Sequence, residues 1–291
     1  MTPSDVDIQT RETLSGPQFA DVDAWGLTHP GKVRKHNEDH YFIGSLSRGI
    51  LVHGTSLGLP RLAEVVRVAS FAVVADGVGS GGGGEEASRL AVQALVREVS
   101  NTFHEASVTE ATEPEVFTKL LSDAALQCHE NLLERSAQDA SKTRFATTLT
   151  VFLGLWPHAY LLQLGDSRCY VHRDGVLSQI SRDQTMAQDL VDQGVLTQTT
   201  AMNTQWAHIL SSAIGGRQAE PVVSRIVRDW GTVVLLCSDG LTKHVSDEQI
   251  KHRIDTMKDA KQLCEALLQD ALDDGGTDNI TIVVGRTLRR S

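Results

Sequence analysis

The chain is expected to fold as an α+β protein in which antiparallel sheets are covered by helices, and three observations point there. Runs of strand type come in consecutive blocks, as at residues 147–155, 159–164 and 168–172. Stretches with apolar residues at helical spacing are inserted in pairs between those blocks. A βαβ alternation, which would argue for a parallel sheet, is absent. At 291 residues and 41% hydrophobic composition, the chain is long for one domain, within range for a two-sheet fold, and able to fill a large core.

Taken in order, residues 1–20 read as a flexible lead-in, followed by a strand at 21–28 and a turn at His29-Pro30-Gly31. The acidic cluster Asn37-Glu38-Asp39 precedes a short strand at 41–43. Residues 45–68 form an insertion with a hairpin at 51–60, before the central strand at Phe71. A glycine-rich loop at 77–84 opens a helix on which Ala87, Leu90, Ala91, Ala94, Leu95 and Val99 share a stripe. A second helix covers about 115–136, with Pro114 at its start. Arg173-Asp174-Gly175 is a hairpin turn leading to a strand near 176–180. Residues 186–193 are helical, and the polar, irregular stretch 196–216 reads as a flap, within a flap subdomain of about 184–225. Strands at 222–227 and 232–237, helices at 247–255 and 260–272, and a last strand at 279–286 complete the set.

Composition narrows the function. The formal net charge of −10 argues against nucleic acid as a partner, since a phosphate backbone needs a basic footprint. Cys128, Cys169, Cys237 and Cys264 are widely separated and form no CxxC pair; they read as reduced core residues of a cytoplasmic protein. The polar start lacks the apolar centre of a signal peptide, and no apolar run approaches the ~18 residues of a membrane span.

The chemistry concentrates in aspartates. Asp76, Asp166 and Asp239 each follow an apolar strand-type run, and Asp278 precedes one. A carboxylate where a buried strand stops is costly unless its charge is compensated. Four such sites, with Asn37-Glu38-Asp39 as a fifth acidic cluster, suggest carboxylates converging on a hard divalent cation. Six of the eight residues after Asp76 are glycine, more than a turn needs and enough to let backbone approach a ligand.

Six segments stand in one order: residues 31–39 (GKVRKHNED), 74–79 (VADGVG), 146–149 (ATTL), 164–168 (LGDSR), 237–241 (CSDGL) and 276–280 (GTDNI). The set resembles the bacterial metal-dependent protein phosphatases of the type 2C class, over residues 21–287, which would form one catalytic domain. The resemblance implies a four-layer α-β-β-α sandwich of two antiparallel sheets flanked by helices. It also implies hydrolysis of phosphoserine and phosphothreonine in proteins, with Mn²⁺ or Mg²⁺ as cofactor and phosphorylated proteins, substrates of serine/threonine kinases, as partners, and no nucleic acid or membrane. By the same resemblance Asp76 bridges two metals and Gly77 contributes its carbonyl, Asp39 serves the second metal, Asp239 and Asp278 the first, and Asp166 a third, looser ion shared with Asp239. Glu38 is either a direct ligand or a partner to metal waters. Arg34 would hold the substrate phosphoryl group with its planar fork; the bland reading is a surface cation beside Lys32 and Lys35. For Asp166 the bland reading is a hairpin aspartate salt-bridged to Arg168. His36 reads as a partly exposed neighbour of the site, and Thr147 and Thr148 as structural. Two such metals, ~3.5–4 Å apart, activate a shared water for in-line attack on phosphorus.

The chain departs from its relatives at two places. Gly81 stands where they usually carry a histidine, the general acid for the leaving oxygen, and Gln184 where they often have another. Two other functions therefore stay open: a non-catalytic phosphoprotein-binding module on the same scaffold, and a metal-dependent hydrolase of small phosphoesters.

Overall fold

The structure, a computed structural model, describes residue 17 and residues 21–48, 66–79, 82–105, 114–138 and 145–288. Its elements run β1 (Val22–His29), β2 (His40–Arg48), β3 (Val66–Ala75), β4 (Gly77–Gly79), α1 (Gly83–Glu105), α2 (Pro114–Gln138), β5 (Phe145–Thr147), β6 (Leu149–Leu155), β7 (His158–Leu164), β8 (Arg168–Arg173) and β9 (Val176–Gln179). Then come α3 (Met186–Asp192), α4 (Gln198–Met202), a 3₁₀ turn (Gln205–His208), β10 (Val222–Val227), β11 (Val233–Cys237), α5 (Asp239–Thr242), α6 (Asp247–Asp255), α7 (Ala260–Asp273) and β12 (Ile280–Thr287).

Two five-stranded sheets, ordered β1-β12-β11-β8-β9 and β10-β7-β6-β3-β2, are antiparallel throughout. They stack face to face, with α1 and α2 on the outside of one and α6 and α7 on the outside of the other. The strands explain this directly, because neighbouring residues on one strand go to different cores. Val73 and Leu162 face α1 and α2, while Val74 and Leu161 face the opposite sheet. Leu235, Ile282 and Val284 face α6 and α7, while Leu236 and Val283 face inward. Both faces being covered, the strands carry unbroken apolar runs such as Val233-Val234-Leu235-Leu236-Cys237. This is the expected four-layer α-β-β-α sandwich.

The helices carry their own start signals. α1 opens within the glycine run with Glu85 and Glu86 in its first turn, where negative charge meets the positive end of the helix dipole. Ser246 and Gln249 form a reciprocal capping box at α6. All four cysteines are buried and unpaired, and burial raises every one of their thiols.

Several boundaries differ from the sequence reading. β2 extends to Arg48 and β3 begins at Val66, with a register shift at Leu46/Ser47. The long hairpin they make takes residues read as insertion. Gly77 to Gly79 is a strand, paired with β5 in a third, two-stranded sheet. The stretch read as irregular holds α4 and the 3₁₀ turn. β10, paired to β7 from Val222, belongs to the core sheet, so the excursion ends before it. The hairpin expected at 51–60 and all but Pro17 of the lead-in lie outside the described residues.

Leu161 is 2% exposed, between the sheets. Its replacement by alanine is expected to lower the unfolding free energy by about 2–5 kcal/mol, read as a fall in the urea midpoint with an unchanged slope.

Candidate metal centre

In an antiparallel pair the end of one strand lies beside the start of its neighbour. His40 is paired with Ala75, and Cys237 with both Arg168 and Ile282. Asp39 and Asp76, Asp166 and Asp239, and Asp278 are therefore delivered to one end of the sandwich. There Glu38, Asp76, Gly77, Asp166, Asp239 and Asp278 line an open cavity of about 1060 Å³, with Arg34, Lys35, His36 and Lys243 around it. Asp39 lies beneath, 3% exposed.

Asp39 and the backbone around Asp76 are held by groups that the sequence reading passed over or assigned no function. Ser238 Oγ and Thr281 Oγ1 donate to Asp39 Oδ2 at 2.8 and 2.7 Å. Thr147 and Thr148 fix the backbone of Asp76: Thr148 Oγ1 accepts from Asp76 N at 2.9 Å, and Thr147 Oγ1 donates to Asp76 O at 2.9 Å. Asn279 ties down the loop before β2. Its Oδ1 accepts from Glu38 N at 2.8 Å, and its Nδ2 donates to His36 O at 2.9 Å and Pro30 O at 3.1 Å. Gly77 donates to Glu38 O at 3.2 Å, and a Cβ there would run into the carbonyls of Gly84 and Glu38. Only glycine lets these three backbone segments approach so closely. The sequence signals for these supports were the polar residues flanking the aspartates, Ser238 and the Asn279–Thr281 run.

Asp239 and Asp278 are bound to cations of the chain itself. Lys243 Nζ lies 2.6 Å from Asp239 Oδ2 and 2.7 Å from Asp278 Oδ2. Arg34 reaches Asp278 through Nε at 2.8 Å and Nη2 at 3.0 Å. Burial raises the Asp278 pKa, but Lys243 and Arg34 outweigh it and hold that carboxyl below its ordinary value. Burial and the neighbouring aspartates push Asp76 well above the carboxylate range, and burial with Asp239 pushes Asp166 up to about 8. Burial also raises Glu38. Asp166 makes no salt bridge with Arg168: the guanidinium is turned to Asp183, with Nη2 at 2.7 Å and Nε at 3.0 Å from its oxygens, because Asp183 presents both oxygens to the fork.

Gln184 is buried and joins the root of the flap to the strand end that carries Asp166. Its Oε1 accepts from Gly165 N at 2.8 Å and its Nε2 donates to Glu220 O at 3.0 Å. Beyond it, His208, Ile209 and Arg217 reach the cavity wall. Gly81 lies outside the described residues.

The donor set suits a hard divalent cation, being carboxylate and carbonyl oxygen throughout. Asp39 Oδ1 is buried with no hydrogen-bond partner among the described residues, the state of an oxygen waiting for a ligand. Among the described residues no three carboxylate, imidazole or thiol groups form a ready-made coordination cluster. Lys243 and Arg34 hold Asp239 and Asp278 in ion pairs instead. The residues therefore fit the metal, with one half of the site contested by the chain's own cations.

The chain belongs to the protein phosphatase 2C family, whose profile matches residues 62–275. It is 31% identical over 257 residues to the serine/threonine protein phosphatase PstP of Mycobacterium tuberculosis, covering 87% of this chain but only 43% of that protein. It is 25% identical to the serine/threonine phosphatase stp of Listeria monocytogenes, covering 88% of this chain and 92% of the relative. A crystal structure of the PstP catalytic domain in complex with two manganese ions superposes with a TM-score of 0.72 at 28% identity, over 92% of this chain and 99% of that one. Among the described residues no helix is long and apolar enough to cross a membrane.

Thr281→Val keeps the shape but removes one of two donors to the buried Asp39 carboxylate. Urea unfolding of the metal-free protein is expected to show a loss of about 1.5–3 kcal/mol, and an unchanged midpoint would detach Thr281 from that role.

Proposed function

We propose that the chain hydrolyses phosphoserine and phosphothreonine esters in proteins, dependent on Mn²⁺ or Mg²⁺. The observation that carries this reading is the convergence of four aspartates from different strand ends on one open cavity, with a fifth, Asp39, buried beneath it and Arg34 at its mouth. Asp39, Asp76, the Gly77 carbonyl, Asp239 and Asp278 would hold two ions, with Asp166 and Asp239 available to a third. When bound, the ions supply an activated water and neutralise charge on the phosphoryl oxygens. The chain supplies the rest. Arg34 presents a planar donor fork that is 56% exposed at the cavity, and substrate phosphate would compete with Asp278 for it. Thr147, Thr148 and Asn279 hold the Asp76 backbone and the 30–38 loop in place, so the ligand oxygens are set before substrate arrives. His208 and Arg217 bring flap residues to the wall where the peptide flanking the phosphorylated residue would lie. The four buried free thiols suit a reducing compartment, and we place the chain in the cytoplasm.

The test is turnover of a phosphothreonine peptide with and without Mn²⁺. Activity is expected only with the ion, and Asp76→Ala should abolish it together with any Mn²⁺-induced rise in melting temperature. Arg34→Ala is expected to raise KM roughly 10–100-fold, the worth of a charge-assisted hydrogen-bond pair, while Mn²⁺ affinity changes much less. A protein that binds the phosphopeptide without turning it over would be a binding module instead.

Gly81 yields a separate expectation. An aryl phosphate leaves as a stable phenolate, whereas a serine or threonine alkoxide needs a proton in the transition state. A folded Gly81→His variant is expected to gain up to ~100-fold in phosphopeptide turnover and little on aryl phosphates. An unchanged ratio of the two would show that another group already donates that proton.

A further inference from the structure

The ammonium of Lys243 stands where two of the aspartates meet. Lys243 closes the single turn of α5, four residues after Asp239, so its side chain lies back over that carboxylate. Nζ contacts Asp239 Oδ2 at 2.6 Å and Asp278 Oδ2 at 2.7 Å, and both aspartates are 19% exposed. One short ion pair on a protein surface is commonplace. A single ammonium gripping two half-buried carboxylates from different elements does what a metal ion does there, with one positive charge in place of two. The other acceptor positions of Asp278 are also satisfied from within: Arg34 donates to both oxygens and Asn279 N donates to Oδ1 at 2.9 Å.

The other half of the site is different. Among the described residues no lysine or arginine pairs with Asp39 or Asp76, and Asp39 Oδ1 is buried without a partner. Among the described residues, cations thus neutralise Asp239 and Asp278, while Asp39 and Asp76 have none and Asp39 is met only by neutral hydroxyls.

We propose that Lys243 is a built-in counter-ion for Asp239 and Asp278, so that a divalent ion enters that half of the site only by displacing it. The inference rests on reading these aspartates as metal ligands. Its consequence is unequal loading. The first ion binds among the Asp39 and Asp76 oxygens, where it relieves repulsion and meets no competitor. The second must break two ion pairs, and binds more weakly. Once displaced, the ammonium stays at the cavity, whose wall it already forms, within reach of a phosphoryl group.

The test is Mn²⁺ titration calorimetry of chelator-stripped full-length protein, comparing wild type with Lys243→Gln and Lys243→Arg. Wild type and Lys243→Arg are expected to bind one ion tightly and a second at least ~10-fold more weakly. In Lys243→Gln the second ion should tighten by ~10-fold or more, closing the gap. In EDTA, Lys243→Gln is expected to melt below wild type, since two carboxylates lose their counter-ion, and Mn²⁺ should erase the difference. Equal affinities for both ions in wild type and Lys243→Gln would overturn the proposal while leaving the metal reading intact. If neither protein binds Mn²⁺, both fall. Should Lys243→Gln fold only with metal present, release of Mn²⁺ from metal-purified protein into excess chelator replaces the titration. A slower second phase than wild type is then expected, and an equal one overturns the idea.

Discussion

Like charges brought together at the end of a nonpolar sandwich set the terms for everything around them. Asp39, Asp76, Asp166, Asp239 and Asp278 repel one another, and burial removes the water that would screen them. The lowered acidities of Asp76 and Asp166, their pKa values pushed up by burial and by the charge of neighbouring aspartates, are that cost made visible. The fold answers with neutral hydroxyl donors at Asp39, with cations at Asp239 and Asp278, and with backbone clamps at Asp76. The hydroxyls leave Asp39 Oδ1 free of partners among the described residues, whereas the cations at Asp239 and Asp278 occupy the oxygens they hold.

The sandwich is what makes such a gathering attainable. Ten strands arranged antiparallel offer many chain reversals at one edge, and a carboxylate placed at a reversal needs no side chain of unusual reach. The helix layers, packed on the outer faces, leave that edge open. Thus the packing that stabilises the domain and the placement of the aspartates follow from the same strand register, and a slip of one residue in β11 or β12 would turn the apolar sets to the wrong layers and carry Asp239 and Asp278 away together.

Much of this was legible in the linear chain, for identifiable reasons. Runs such as residues 233–237 are apolar at every position because both faces are covered, so strands announced themselves without alternation. Aspartates ending those runs were conspicuous because nothing else charged sits there. What stayed hidden depends on tertiary neighbours. Asn279 spans more than two hundred positions to hold Glu38, and Thr281 does the same for Asp39, while serine and threonine beside a strand look ordinary in sequence. Arg168 lay two residues from Asp166 yet pairs with Asp183, since local proximity says nothing about where a long side chain turns. Lys243 was invisible for the same reason. The strand at Gly77 to Gly79 was masked by its glycines, which weaken any strand signal while permitting the close approach of three backbones.

β12 is the last strand of the chain, yet it lies between β1 and β11 inside its sheet. β1 is made some two hundred and fifty residues before β12, its only partner strand among the described residues. Asp278, Asn279 and Thr281 arrive with that same strand. A chain that stops before Asp278 lacks β12, Asn279 and Thr281 as well, and so cannot complete the aspartate cluster. The aspartate cluster is thereby complete only when β12 has been made.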